Sequence, residues 1–125
     1  MTSERGSAAL EFALVLPLLL LLALALVQVG LLVRDQLVLV EAARAGAREA
    51  AVTDEEEEIH AAIDRAAATL TEEEIGSSVD RSGQRGDPVT VSLTYAAPVR
   101  VPFVGWLFPD QITLLARATM RQEFG

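Results

Sequence analysis

The sequence predicts an α+β fold: a long N-terminal transmembrane helix that continues outside the membrane, a second amphipathic helix, and a small antiparallel β-sheet. Three patterns predict it. Ala13–Val27 contains no polar side chain. Apolar residues after Asp54 recur at helical spacing. Val89–Tyr95 alternates between apolar and polar residues, as a strand buried on one face does.

The first helix is predicted to cross a bilayer. With two interruptions tolerated, the apolar run extends from Ala13 to Val33. A helix of this length measures about 32 Å, which matches the roughly 30 Å hydrocarbon core of a membrane. We therefore assign residues 7–33 to a transmembrane helix. Pro17 lies within it, where proline tends to kink a helix but is tolerated.

Composition limits what the remainder of the chain does. The net charge is −8 and there is no cysteine. Excess acid disfavours binding to nucleic acid, and the lack of cysteine excludes disulfides and thiolate metal sites. The sequence shows no catalytic triad, paired-carboxylate pocket or phosphate-binding loop. We therefore expect a protein that is not an enzyme, with no cofactor and no small-molecule substrate. The acidic segment 34–125 favours an extracytoplasmic domain, with the N-terminus in the cytoplasm.

The first helix is predicted to continue from the membrane to Val52. Apolar residues follow at steps of three and four: Leu37, Val40, Ala43, Ala47 and Ala51. Small residues around Gly46 would let another helix or a sheet pack closely. Arg44 and Arg48 lie on one face, and we take them with Gly46 as candidate packing residues. The alternative is a plain alanine-rich helix whose arginines are solvated.

A second amphipathic helix is predicted over Asp54–Leu70. Its apolar positions are Ile59, Ala62, Ile63, Ala66, Ala67 and Leu70. Thr53 and Glu56 have the spacing of a capping box. The acidic run that opens this helix lacks the spaced ligands of a calcium loop. His60 is the sole histidine, so we expect neither zinc binding nor catalysis from it.

The C-terminal half is predicted to form the sheet. Val89–Tyr95 and Ile112–Met120 both alternate, which favours an antiparallel pair with one face covered by helix. A short third strand near residues 77–82 would extend the pair to a meander.

The segment between the two main strands concentrates proline and aromatic residues. Its aromatic side chains are Phe103, Trp106 and Phe108. Long loops of this kind are often functional. One reading is a contact loop that anchors at a membrane interface or meets another subunit. The other is a lid that folds back over the sheet.

A short motif precedes the apolar run. Gly6 is followed by Glu11 and Phe12, directly before the span. This resembles the processing site of type IV pilin-like proteins. The resemblance implies that a prepilin peptidase cuts between Gly6 and Ser7 and removes a leader of residues 1–6. The freed amine of Ser7 would then pair with Glu11 of a neighbouring subunit. The alternative is that Glu11 only marks the interfacial start of an ordinary signal anchor.

A second stretch carries a more specific resemblance. Ala42-Ala-Arg-Ala-Gly-Ala-Arg48 is similar to the segment after the membrane helix in TadE-like proteins, the bacterial minor pilins (pseudopilins) of the tight-adherence, or Flp-type, pilus. The resemblance implies a pilin-like fold and a single-pass protein of the cell membrane that takes part in assembly of a surface pilus. Its implied partners are the prepilin peptidase, other pilin subunits and the assembly platform.

Three alternatives remain open from the sequence. The first is a signal-anchored membrane protein whose outer domain binds a partner without processing. The second is a secreted module cut near Ala25. The third, which the residue inventory disfavours, is a small enzyme on a membrane stalk.

Overall fold

The computed structural model describes residues 2–70 and 73–125. Its elements, in chain order, are α1 (Thr2–Val52), α2 (Glu56–Ala66), β1 (Gly76–Arg81), β2 (Pro88–Pro98) and β3 (Gln111–Arg121). The strands form one antiparallel sheet in the order β1-β2-β3. The predicted α+β class is confirmed, including the meander. Both main strands are longer than their alternating patterns indicated.

The N-terminal half of α1 stands clear of the rest of the protein. Every residue from Glu4 to Leu20 is exposed. The best 18-residue window of the helix has a mean hydropathy of 2.8, and only 6% of it is buried. By length and composition, α1 can therefore cross a membrane. The helix is continuous through Gly6 and Pro17 and ends at Val52, as predicted.

The C-terminal half of α1 packs on the sheet through small residues. Its fully buried apolar side chains are Leu39, Ala42, Ala43, Ala47 and Ala50. Gly46 lies among them, and a Cβ there would stand 2.7 Å from Cγ1 of Ile63 on α2 and 3.2 Å from Cγ1 of Val91 on β2. At Gly46, α1 therefore approaches both α2 and the sheet so closely that no side chain fits.

The sheet has one buried and one solvated face. On β2, the buried residues are Val89, Val91, Leu93, Tyr95 and Ala97, which confirms the predicted inward face. The alternate residues include the polar Thr90, Ser92 and Thr94, and Thr90 forms a side-chain hydrogen bond of 2.8 Å with Thr119 on β3. Such alternation is typical of an antiparallel sheet with helices on one side.

The second helix differs from its prediction at both ends. It covers Glu56–Ala66 rather than residues 54–70. The predicted capping box is wrong, because the backbone N–H of Thr53 donates to the carbonyl of Glu49 at 3.0 Å and so extends the last turn of α1. The N-cap is Glu55, which makes no side-chain capping bond. Thr53 Oγ1 instead accepts the backbone N–H of Glu55 at 3.2 Å.

The C-terminal end of α1 is held by the end of the sheet where β1 and β3 finish. The carbonyl of Ala51 accepts the backbone N–H of Glu123, just after β3, at 2.7 Å. The guanidinium of Arg81 donates to the carbonyl of Thr53 at 3.3 Å. A helix leaves its last carbonyls without partners, and cations there are favourable. These contacts fix which end of the sheet meets the end of the helix.

We predict that Gly46→Leu destabilises the domain, because the side chain would collide with Ile63 and Val91. Overpacking of this kind lowers the free energy of unfolding by about 3 kcal/mol. The thermal midpoint in detergent micelles measures it. Gly30→Leu is the matched control, since nothing lies within 4 Å of a Cβ there. Equal midpoints for the two variants would contradict the close approach at Gly46.

Candidate functional site

The N-terminal motif lies on the unpacked part of α1. Gly6, Ser7, Glu11 and Phe12 are all exposed, and nothing stands within 4 Å of a Cβ built on Gly6. Ser7 and Glu11 are four residues apart, so they share one face of the helix. The motif is therefore open to another protein from all sides.

The two arginines of the alanine-rich stretch point away from the sheet. Arg44 and Arg48 are exposed, on the side of α1 opposite the buried Gly46. Nη1 of Arg44 lies 2.8 Å from Oε1 of Glu41, and both side chains are more than half exposed. Exposed pairs of this kind contribute little to stability. Gly46 thus packs within the domain, while the arginines remain at the surface.

A buried glutamine within the predicted apolar run connects the sheet to α1. Gln28 is fully buried. Its Oε1 accepts the backbone N–H groups of Arg100 and Val101, both at 3.0 Å. These two residues lie just after the end of β2 at Pro98. One side chain of α1 therefore fixes the start of the β2–β3 connection.

A buried ion pair reinforces this contact. The carboxylate of Asp35 is only 2% exposed, and its Oδ2 lies 3.2 Å from Nη2 of Arg100. Its Oδ1 lies 3.7 Å from Nη1 of Arg34. Burying a carboxylate is costly unless it is paired, so Asp35 and Arg100 hold each other in place. The signal in the sequence is the seven-residue spacing of Gln28 and Asp35, which places them on one helix face.

The direction of β2 carries this connection toward the apolar half of α1. The chain enters β2 beside the end of α1. The carbonyl of Asp87, just before β2, accepts the backbone N–H of Gln122, and the backbone N–H of Glu123 donates to the carbonyl of Ala51 on α1. Eleven residues of strand extend about 33 Å, and the helix from Gln28 to Ala51 measures about 35 Å. The two lengths agree, so β2 returns along α1 to the level of Gln28.

The connection exposes its aromatic side chains and buries its valines. Phe103 and Trp106 are 77% and 73% exposed, whereas Val104 is fully buried and Val101 nearly so. The indole Nε1 of Trp106 donates to the carbonyl of Phe103 at 2.8 Å. Phe103 and Trp106 therefore take no part in a lid over the sheet, whereas Val101 and Val104 of the same loop are buried. Phe108 is half-buried.

The described residues form no metal centre. Within residues 2–70 and 73–125, no cluster of three or more His, Cys, Asp or Glu side chains is arranged to hold a metal ion. Nδ1 of His60 lies 3.1 Å from the hydroxyl of Ser77. This contact joins α2 to β1, which is a structural role.

Comparison with known proteins identifies a family for the N-terminal part. A family model described as TadE-like protein matches residues 6–48, which include both the Gly6 motif and the alanine-rich stretch. No curated protein and no solved structure matches the chain. TadE-like proteins are structural proteins associated with the tight-adherence pilus and are not known as enzymes. The resemblance seen in the sequence is thus confirmed over residues 6–48, where the chain is similar to TadE-like proteins.

Proposed function

We propose that this protein is a minor pilin (pseudopilin) of a tight-adherence, or Flp-type, pilus. A prepilin peptidase trims it between Gly6 and Ser7, and α1 then holds it in the cell membrane until it takes part in pilus assembly. The observation that carries the proposal is that one exposed helix combines the processing motif, an apolar span and the TadE-like match at residues 6–48.

The structure bears on how the peptidase reaches the bond. Gly6 lies inside α1, whereas a protease site binds an extended chain. Residues 4–20 are exposed, so unwinding the first turns breaks only helical hydrogen bonds. Glycine lowers the cost further, because it is about 1 kcal/mol less favourable in a helix than alanine. We therefore propose that the first turns of α1 unwind locally in the peptidase.

Glu11 supports the assembly role. A carboxylate at the edge of an apolar span is costly in lipid unless it is paired. Ser7 and Glu11 lie on one face of α1, and cleavage of the bond after Gly6 frees the α-amino group of Ser7. In a stack of staggered helices, the amine of one subunit can reach Glu11 of the next. Such a pair would set the axial register. The partners we propose are therefore other pilin subunits, the assembly platform and the membrane.

A second candidate is an unprocessed signal anchor with an outer interaction domain. The observation that favours it is the continuity of α1 through Gly6. In this case the leader would remain on the protein, and Thr2–Gly6 would stay as the cytoplasmic start of α1. The two functions differ in the first residue of the protein in its native host.

We predict that protein purified from its native host begins at Ser7. Gly6→Leu should abolish trimming, because a bulky side chain enters the cleavage site where glycine has no Cβ. Intact-protein mass measures both results. Gly30→Leu, which makes the same change elsewhere in α1, should be trimmed normally. Wild-type protein that still begins at Met1 or Thr2 would contradict the processing.

We also predict that Glu11→Ala is trimmed normally but enters the filament about tenfold less well, since the Ser7 amine loses its partner in lipid. The measurement compares the amounts in sheared pili and in the membrane. Glu4→Ala is the control, because Glu4 leaves with the leader. Incorporation of Glu11→Ala at the wild-type level would refute the pairing.

A further inference from the structure

The connection between β2 and β3 presents an exposed apolar cluster. We define the membrane-contact loop as residues 99–109. Its Phe103, Trp106 and Leu107 are 77%, 73% and 48% exposed. Side chains of this size are rarely left together at a protein surface without a partner.

The position of the loop on α1 identifies the partner. Gln28 fixes the loop through Arg100 and Val101. Gln28 follows Glu11 by 17 residues, which is about 26 Å of helix. The hydrocarbon core of a bilayer is roughly 30 Å thick. If Glu11 lies at one edge of that core, the loop lies at the other.

The exposure of α1 agrees with this level. Residues 4–20 are exposed, Leu21, Leu24 and Ala25 are half-buried, and Gln28 is buried. On one face of the helix, protein thus begins to cover α1 just before Gln28, while Val29 and Val33 on its other faces remain exposed.

The charges of the loop also suit a lipid interface. Its one charged residue, Arg100, is bound to the carboxylate of Asp35. The acidic run 54–58 begins after Val52, about 36 Å along α1 from Gln28. The acidic run is therefore at the opposite end of the domain, whereas the exposed Asp110 follows the loop directly and Glu73 accepts a hydrogen bond from Gln111 beside it.

The aromatic residues are of the kind found at interfaces. Tryptophan is enriched where a membrane meets water. The indole N–H of Trp106 already donates to the carbonyl of Phe103, so the ring can enter an apolar layer without leaving that donor unpaired. Phe103 has a positive φ of 68°, a conformation uncommon for a residue with a side chain.

We propose that the membrane-contact loop inserts Phe103 and Trp106 into the interface of the leaflet on the domain side. The domain then rests on the bilayer before assembly instead of standing away from it on α1. The occupant of this surface is lipid, and it binds through the apolar rings. The inference rests on the proposed function only in requiring that α1 spans the membrane.

The single tryptophan allows a direct test, because Trp106 is the only one in the chain. The full chain is reconstituted into phosphatidylcholine vesicles whose lipids carry bromine near the headgroup or near the bilayer centre. We expect the shallow bromine to lower Trp106 emission about twofold, as for an interfacial ring. Bromine near the bilayer centre and acrylamide in the water should both quench Trp106 emission less.

A matched variant reports the solvated surface. The double substitution Trp106→Phe with Leu115→Trp moves the tryptophan to an exposed site on β3. Its emission should be quenched by acrylamide and not by brominated lipid. Wild-type emission that behaves in the same way would overturn the proposal.

Two further outcomes are distinguishable. Resistance to alkaline extraction from the vesicles reports spanning by α1 separately; if the protein spans but Trp106 is in water, only the loop proposal fails. Trp106 could instead be shielded from acrylamide without being quenched by brominated lipid, and the shielding could disappear when the protein is diluted in lipid. That result would overturn the proposal in favour of contact with a second copy of the chain.

The anchoring of the loop is tested with Gln28→Leu. The change removes the acceptor for two backbone N–H groups. The loop should then move away from its position at the membrane interface, and quenching of Trp106 by shallow bromine should fall about twofold. Val27→Leu, at an exposed neighbouring site, should quench as wild type. Unchanged quenching in Gln28→Leu would contradict positioning of the loop by α1.

Discussion

The helix α1 meets two environments, the membrane along its first half and the packed domain along its second. The size of its side chains decides where one environment gives way to the other. The first half of α1 carries large apolar residues that no part of the described chain covers. The second half carries alanine and glycine on the face that meets the sheet. Small residues let backbones approach closely, which gains dispersion contacts along the whole interface. Gly46, against Ile63 and Val91, is one of these close approaches.

The position of the loop follows from this packing. Because β2 returns along α1 for about the same length as the buried half of the helix, its end arrives beside the apolar half. Gln28 and Asp35 then satisfy the polar groups that the arriving chain brings with it. We infer that lipid contact on this face ends near Gln28, short of the Val33 limit set from hydropathy alone.

Much of the fold could be predicted from local patterns. Periodicity predicts the end of α1 at Val52 and the inward face of β2, because each pattern lies within a single element. The capping box at Thr53 failed because the last turn of α1 competes for the same backbone N–H. The roles of Gln28, Asp35 and Arg100 could not be read, since their partners are far apart in the chain. Exposure of Phe103 and Trp106 depends on the same contacts.

The boundary between lipid and water along α1 is the most direct measure of this arrangement. The chain has no cysteine, so single cysteines can be placed at exposed sites of the helix and treated with a membrane-impermeant maleimide in intact cells. Sites at Leu14, Leu18, Leu22 and Leu26 should not react, and a site at Leu37 should react from outside. Reaction at Leu22 and Leu26 as fast as at Leu37, or at Leu37 only after the cells are opened, would contradict a helix that spans the membrane up to Gln28 and continues into an outer domain.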